Sequence, residues 1–239
     1  MHRIITTLVS GMLLCSLPAA ALAFLVVFLI TGVPLIVMIY ASFLPTWQAP
    51  SMAYFASATL ANYEALWRSA NTITPLVNST LLGIGAASVI VLFAALVAWF
   101  AQRSRLRGAK LLDGLAFASI ALPSVVLGAT FMWLYLIVPL PVIGTLVIIG
   151  LAYVTRYLPY ALRFVTTSMA QLHAELEEAA HMAGAPWWRT FVRVTLPLLK
   201  PGLLAAWFWV MVHAYRELTI ALMLARSQNR TAAVLILDL

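Results

Sequence analysis

Long apolar stretches broken by short polar segments dominate this chain, and that alternation predicts a series of membrane-crossing helices. About 20 apolar residues cross the hydrocarbon core of a bilayer. Residues 19–43 therefore predict a first span, separated by Pro18 from a short lead-in and kinked at Pro34. Residues 44–75 are more polar, with Pro45, Trp47 and Pro50, and Asn62 to Trp67 predicts a short interfacial helix with its rings at headgroup depth. Further spans are expected at 76–101, 111–138 (containing Pro123 and Gly128), 142–160 and 203–224, with the uncharged Pro139-Leu140-Pro141 turn joining the third to the fourth. Residues 231–239 open another apolar segment that is too short to cross at about 1.5 Å per residue. The expected fold class is all-α: a polytopic transmembrane bundle of about five spans, forming one domain over residues 1–239. The chain is expected either to be a fragment of a longer subunit or to lay its terminal helix against the outer face of the bundle.

Charge orients this pattern. Arg103, Arg105, Arg107 and Lys110 follow the second span, and Arg163, Arg189, Arg193 and Lys200 flank or sit in the polar segment after the fourth. The positive-inside rule places both loops and the N-terminus in the cytoplasm and the C-terminal residues outside. At 64% hydrophobic and 9% charged residues, with a mean hydropathy of +1.02, the chain is no soluble globule, where about a quarter of residues are charged. Its net charge of +7 sits in loops rather than on one face, which argues against nucleic acid. The single Cys15 excludes an internal disulfide and a multi-cysteine metal site. Met1-His2-Arg3 and the later Ala21-Leu22-Ala23 imitate a cleavable signal, but the apolar run continues through Tyr40, as a span does. No phosphate-binding P-loop pattern is present, so ATP hydrolysis is expected in a partner and no cofactor or metal in this chain.

The polar segment after the fourth span carries the chemistry. Residues 174–183 predict a short helix with Leu172, Leu176, Ala179, Ala180 and Ala183 along one side. Gly184 then turns the chain. Pro186 suits the first turn of a second helix, and Trp187, Trp188 and Phe191 follow as apolar anchors. Small alanines would let another protein approach closely, although an amphipathic helix resting on the bilayer has the same periodicity.

Glu178-Ala179-Ala180, three residues, Gly184, nine residues and Val194-Thr195-Leu196-Pro197 together resemble the cytoplasmic signature of the permease subunits of binding-protein-dependent ABC importers, of the methionine/maltose type. Val194 stands where that family more often has Ile. Asn62-Tyr63, Asn78-Ser79, Arg105-Leu106-Arg107-Gly108, Ala121-Leu122-Pro123 and Tyr157-Leu158-Pro159-Tyr160 look like family features in the same order. The resemblance implies that residues 163–200 form a coupling loop against a cytoplasmic ABC ATPase dimer, which binds the ATP and Mg. Glu178 would meet a basic group there, Ala179 and Ala180 would allow the close fit, Gly184 would permit the turn, and Leu196 and Pro197 would complete the motif. It also implies a second permease half, a solute-binding protein outside the cytoplasm, and a multi-pass location in a bacterial inner membrane.

One charged pair lies inside a predicted span. Arg216 and Glu217 sit roughly 20 Å beyond Leu203, where charges are costly unless they face a polar cavity or a partner. Neighbours in sequence point about 100° apart on a helix, so each needs its own partner. His213 shares their side, and the three either line a translocation pathway or lock helices together. Arg156 is expected to snorkel toward the cytoplasmic end of the fourth span, with pairing to Asp113 as the alternative. The Arg216-Glu217-Leu218 triplet is similar to the ferric-iron branch of these permeases; thiamine, phosphonate, sulfate and polyamine importers share the framework. A carrier driven by an ion gradient is the rival from another class, but such carriers often contain inverted repeats, and none is evident here.

Overall fold

The computed structural model describes residues 18–46, 57–103, 108, 114–115, 117–138, 142 and 144–238. Cys15, Trp47, Pro50, Arg105, Arg107, Lys110, Asp113 and the Pro139-Leu140-Pro141 turn lie outside them, as do the sequence readings placed on them.

Two compact units divide the chain at Ser69 and Ala70. In the first, α1 (Pro18–Ser42) is a long apolar helix whose length suits a bilayer crossing. Pro34 lacks an N–H and its ring crowds the preceding turn. Phe28–Gly32 accordingly widens into a π turn in which the Val33 N–H donates to the Phe28 carbonyl. The end of α1 is held by α2 (Ala61–Arg68). Asn62 Nδ2 donates to the carbonyls of Ser42 at 3.0 Å and Leu44 at 2.7 Å, satisfying acceptors that a helix end leaves open. Tyr63 and Ser42 share a hydroxyl hydrogen bond of 2.7 Å. The Asn62-Tyr63 pair thus caps and packs.

The second unit is built on three helices: α3 (Ala70–Arg103), α5 (Leu146–Ala170) and α8 (Lys200–Arg216). Ala86, Ala87, Ile90, Ala94, Ala95 and Ala98 recur on the buried side of α3, and Ala206, Val210 and Ala214 do so on α8. Small residues at these spacings let apolar helices approach closely in lipid. Gly202 marks the tightest crossing: a Cβ there would lie 2.0 Å from Ser168 Oγ on α5. The shorter α4 (Ser124–Ile137) packs against α9 (Thr219–Leu224), with Gly128 facing Met223. The last described helix, α10 (Ala232–Asp238), docks on the start of α3. There Asn78 Nδ2 donates to the carbonyls of Gln228 and Arg230, and Ser79 Oγ accepts the Ala232 N–H at 2.7 Å.

The all-α membrane bundle is as the sequence predicts, but the spans are less continuous. Among the described residues α1 and α3 are long and apolar enough by themselves to cross, or three helices if the bent pair before and within α8 counts as one. The expected third span breaks at Leu122-Pro123, between a 3-10 turn over Ser119–Ala121 and α4, because the residue before proline is driven to extended backbone. The fourth is longer than 142–160: α5 runs on to Ala170 and carries Arg156 and Arg163. The fifth is interrupted at Glu217, where α8 ends in extended backbone before α9 begins.

Candidate functional site

The polar segment forms two helices joined by a tight turn. α6 (Glu175–Met182) starts with Glu175, Glu177 and Glu178 in its first turn, where carboxylates complement the positive helix end. It closes with Gly184 at φ +79°. The Gly184 N–H donates to the His181 carbonyl at 2.9 Å and the Ala185 N–H to the Ala180 carbonyl at 3.0 Å, the paired bonds of a glycine-terminated helix end. Pro186 sits just before the next helix rather than inside its first turn, with ψ 155°. α7 (Trp187–Leu198) follows, widening to a π turn over Phe191–Thr195 in which the Leu196 N–H donates to Phe191. The cause is the one at Pro34: Pro197 follows Leu196 and cannot continue the ladder. α7 meets α8 at a bend of 73°.

Burial separates the two adjacent glutamates. Glu178 and Ala179 are exposed and Ala180 is half-buried, as are Leu172 and Leu196, while Gly184 and Pro197 are exposed. Leu176, Met182, Trp188 and Val192 are also exposed, Met182 at 89%. Of the three expected aromatic anchors, Phe191 is buried and Trp187, though partly exposed, packs its ring at a tilt against α3, 5.5 Å from the Trp99 ring and 5.8 Å from Phe100. Trp188 turns outward under Arg189. Glu177 was not singled out by sequence, yet it is the buried carboxylate of α6. It accepts a 2.8 Å hydrogen bond from Thr195 Oγ1 and lies 3.5 Å from Arg103 Nε at the end of α3. Arg103 Nη2 also donates to the Leu172 carbonyl at 2.8 Å. Only the pairing of distant residues reveals this cluster; in Glu177-Glu178 the sequence offers two identical acids.

The break at Glu217 divides the other candidates. Glu217 is half-buried, and its carboxylate accepts from Tyr157 Oη at 2.7 Å and from the Ile220 N–H at 3.3 Å. Tyr153 Oη donates to the Glu217 carbonyl at 3.2 Å, and Tyr157 Oη also reaches the His213 carbonyl at 3.3 Å. The His213 ring stacks on Trp209 with centroids 3.8 Å apart and bonds through Nδ1 to the Trp209 carbonyl. Arg216 is exposed beside a shallow pocket of about 300 Å³ formed with Tyr215, Leu218, Ala232, Ala233 and Ile236. Glu217 and His213 therefore share Tyr157, while Arg216 does not join them. Arg156 donates to the Leu122 carbonyl at 3.0 Å, an acceptor left open by the break before Pro123, while its alternative partner Asp113 lies outside the described residues. Arg163 lies over the Phe117 ring at 4.0 Å.

Comparison with known proteins bears on this arrangement. Residues 90–237 match the family described as the binding-protein-dependent transport system inner membrane component. ORF1 of Streptomyces antibioticus, named for an ABC transporter permease, is 34% identical over 180 residues, covering 75% of this chain and 77% of that one. The ferric transport system permease protein FbpB of Actinobacillus pleuropneumoniae is 30% identical over 202 residues, covering 83% of this chain but 29% of its own length. The sulfate transport system permease protein CysT of Escherichia coli is 34% identical over 137 residues, covering 53% of this chain and 50% of its own. A crystal structure of a bacterial ABC transporter that imports alginate shares the fold, with a TM-score of 0.70 at 16% identity over 96% of this chain and 80% of that one. The chain belongs to the binding-protein-dependent transport system inner membrane components and is a permease subunit of an ABC importer.

Proposed function

We propose that residues 171–199 are the docking element for a cytoplasmic ABC ATPase dimer and that this chain forms one half of a two-fold translocation pathway. The observation that carries the reading is the exposed outer side of α6 and α7: Glu178, Ala179 and Met182 face away from the bundle beyond a turn held by Gly184, with Trp188 and Val192 beside them. A surface with the exposed carboxylates of Glu175 and Glu178 beside apolar side chains and small alanines suits a groove that offers a basic group. ATP and Mg bind in the ATPase, whose closure pushes this loop, and a solute-binding protein delivers cargo on the opposite side. The N-terminus lies in the cytoplasm, in line with the basic residues flanking the loop.

Ferric iron is the cargo we favour. The likeness to the ferric permease extends over 83% of this chain, against 53% for the sulfate permease, and it accompanies the Arg216-Glu217-Leu218 triplet. Uptake of radiolabelled ferric iron, sulfate and thiamine by cells carrying or lacking this chain tests the cargo; loss of sulfate uptake alone would replace iron with sulfate. Purification through this chain tests the docking element. An ABC ATPase should accompany the wild type and be lost from Glu178→Lys, and its retention at wild-type levels would overturn the assignment.

A further inference from the structure

We propose that Glu177, with Arg103 and Thr195, is the positioning cluster through which a push on the coupling loop reaches α3 and α5; this rests on the reading that the loop docks an ATPase. Glu177 is 8% exposed, so it is no contact for an incoming partner. Its carboxylate instead joins three pieces of chain. Thr195 Oγ1 donates to Oε1 at 2.8 Å from the π turn of α7, and Arg103 Nε approaches Oε2 to 3.5 Å from the last residue of α3. Through Nη2 at 2.8 Å, the same guanidinium holds the Leu172 carbonyl, just past the end of α5. Gln102 Nε2, one residue earlier, donates to the Thr166 carbonyl within α5 at 3.1 Å.

The loop's two strands of chain thus close on one ion pair at their base, close to residues 172 and 195. A charge removed from water in this way gives a directional link, because moving either partner alone leaves the other uncompensated. Aromatic packing of Trp187 and Phe191 on Trp99 holds α7 to the same end of α3, but apolar rings can slide, whereas the Glu177 carboxylate is fixed by a hydrogen bond from Thr195 and an ion pair with Arg103. α6 has no comparable packing among the described residues: its outer side is exposed, and Glu177 is its buried residue. The displacement of α6 is therefore handed to the membrane helices through Glu177, while Glu178 makes the outward contact.

The test uses the native complex, purified from its own host through this chain and reconstituted with its binding protein. Bound ATPase and the ratio of transport-stimulated to basal ATP hydrolysis are measured for the wild type, Glu177→Gln, Thr195→Val, Thr195→Ser and the exchange Glu177→Arg with Arg103→Glu. Glu177→Gln should keep the ATPase bound but lower the stimulation ratio at least tenfold. Thr195→Val should lower it less, Thr195→Ser should restore it, and the exchange should recover more than half of the wild-type ratio. An unchanged ratio in Glu177→Gln and Thr195→Val overturns the proposal. So does loss of the ATPase from Glu177→Gln to the extent seen for Glu178→Lys, which would make Glu177 a docking contact. Absence of an ATPase from the wild-type complex defeats the docking reading itself, and the transmission role with it.

Discussion

The loop at residues 171–199 and the helix break at Glu217 both interrupt an apolar chain with polar groups, and each turns one carboxylate inward, but the exposed neighbour is an acid in the loop and a base at the break. In the loop one acid is turned in and one out: Glu177 is consumed by Arg103 and Thr195, and Glu178 is left exposed. At the break the acid is turned in and the base out, with Glu217 held by Tyr157 and the Ile220 N–H while Arg216 is exposed. Neighbours on a helix, as Glu177 and Glu178 are, point about 100° apart, and Glu217 follows the last residue of α8 in extended backbone of its own. Each pair therefore splits into one group that fixes the fold and one that remains available to something else.

The largest expected effect comes from the turn that separates the loop's two helices. Gly184→Val places a β-branched residue at φ +79° with open space around it, so the cost of about 1–2 kcal/mol is backbone strain rather than collision. Uptake of the transported solute should fall more than tenfold while membrane insertion stays normal. Gly184→Asn, which tolerates that backbone region, should keep most of the activity; equal loss in both would make the side chain, not the backbone, decisive.

Glu217→Ala comes next, and it tests whether the break is a structural lock. Removing the acceptor leaves Tyr157 Oη with the longer bond to His213 and frees the Ile220 N–H, a loss of about 1–3 kcal/mol where a buried group is left unpaired. Thermal unfolding in detergent should fall by several degrees and uptake should drop. Tyr157→Phe should cost less, and the double variant should cost less than the sum. Strict additivity would show that the two side chains do not act through one another.

The motif in the loop was legible because its parts are spaced along one stretch of chain, and Gly184 was predicted to turn because the helix periodicity stops there. The inward glutamate was not legible. Its partners lie 74 residues upstream and 18 downstream at Arg103 and Thr195, and nothing local distinguishes Glu177 from Glu178. The break at Glu217 was hidden for a related reason. Arg216-Glu217-Leu218 contains no Pro or Gly, and the helix ends there where two tyrosines of α5 take up the Glu217 carbonyl and carboxylate. Prolines were only half legible: Pro34, expected to kink its span, and Pro197 each follow a π turn in a helix that continues, whereas Pro123, expected inside a span, breaks it.

The smallest effect is expected at a charged pair that neither region uses. Arg68 and Glu64 pair on the exposed surface of α2, and such pairs contribute little once water screens them. Arg68→Ala should leave uptake and the unfolding midpoint unchanged. A loss as large as that of Glu217→Ala would mean that the distinction between consumed and spectator charges has been drawn in the wrong place.

The central claim, that the outward side of the loop is where the ATPase binds, is tested most directly by photocross-linking in intact membranes. A photoreactive residue placed at Met182, exposed on α6, is compared with one at Val212, exposed on α8. Mass spectrometry should identify an ABC ATPase covalently joined at position 182 and not at 212; capture at both positions alike, or at neither, would contradict the account.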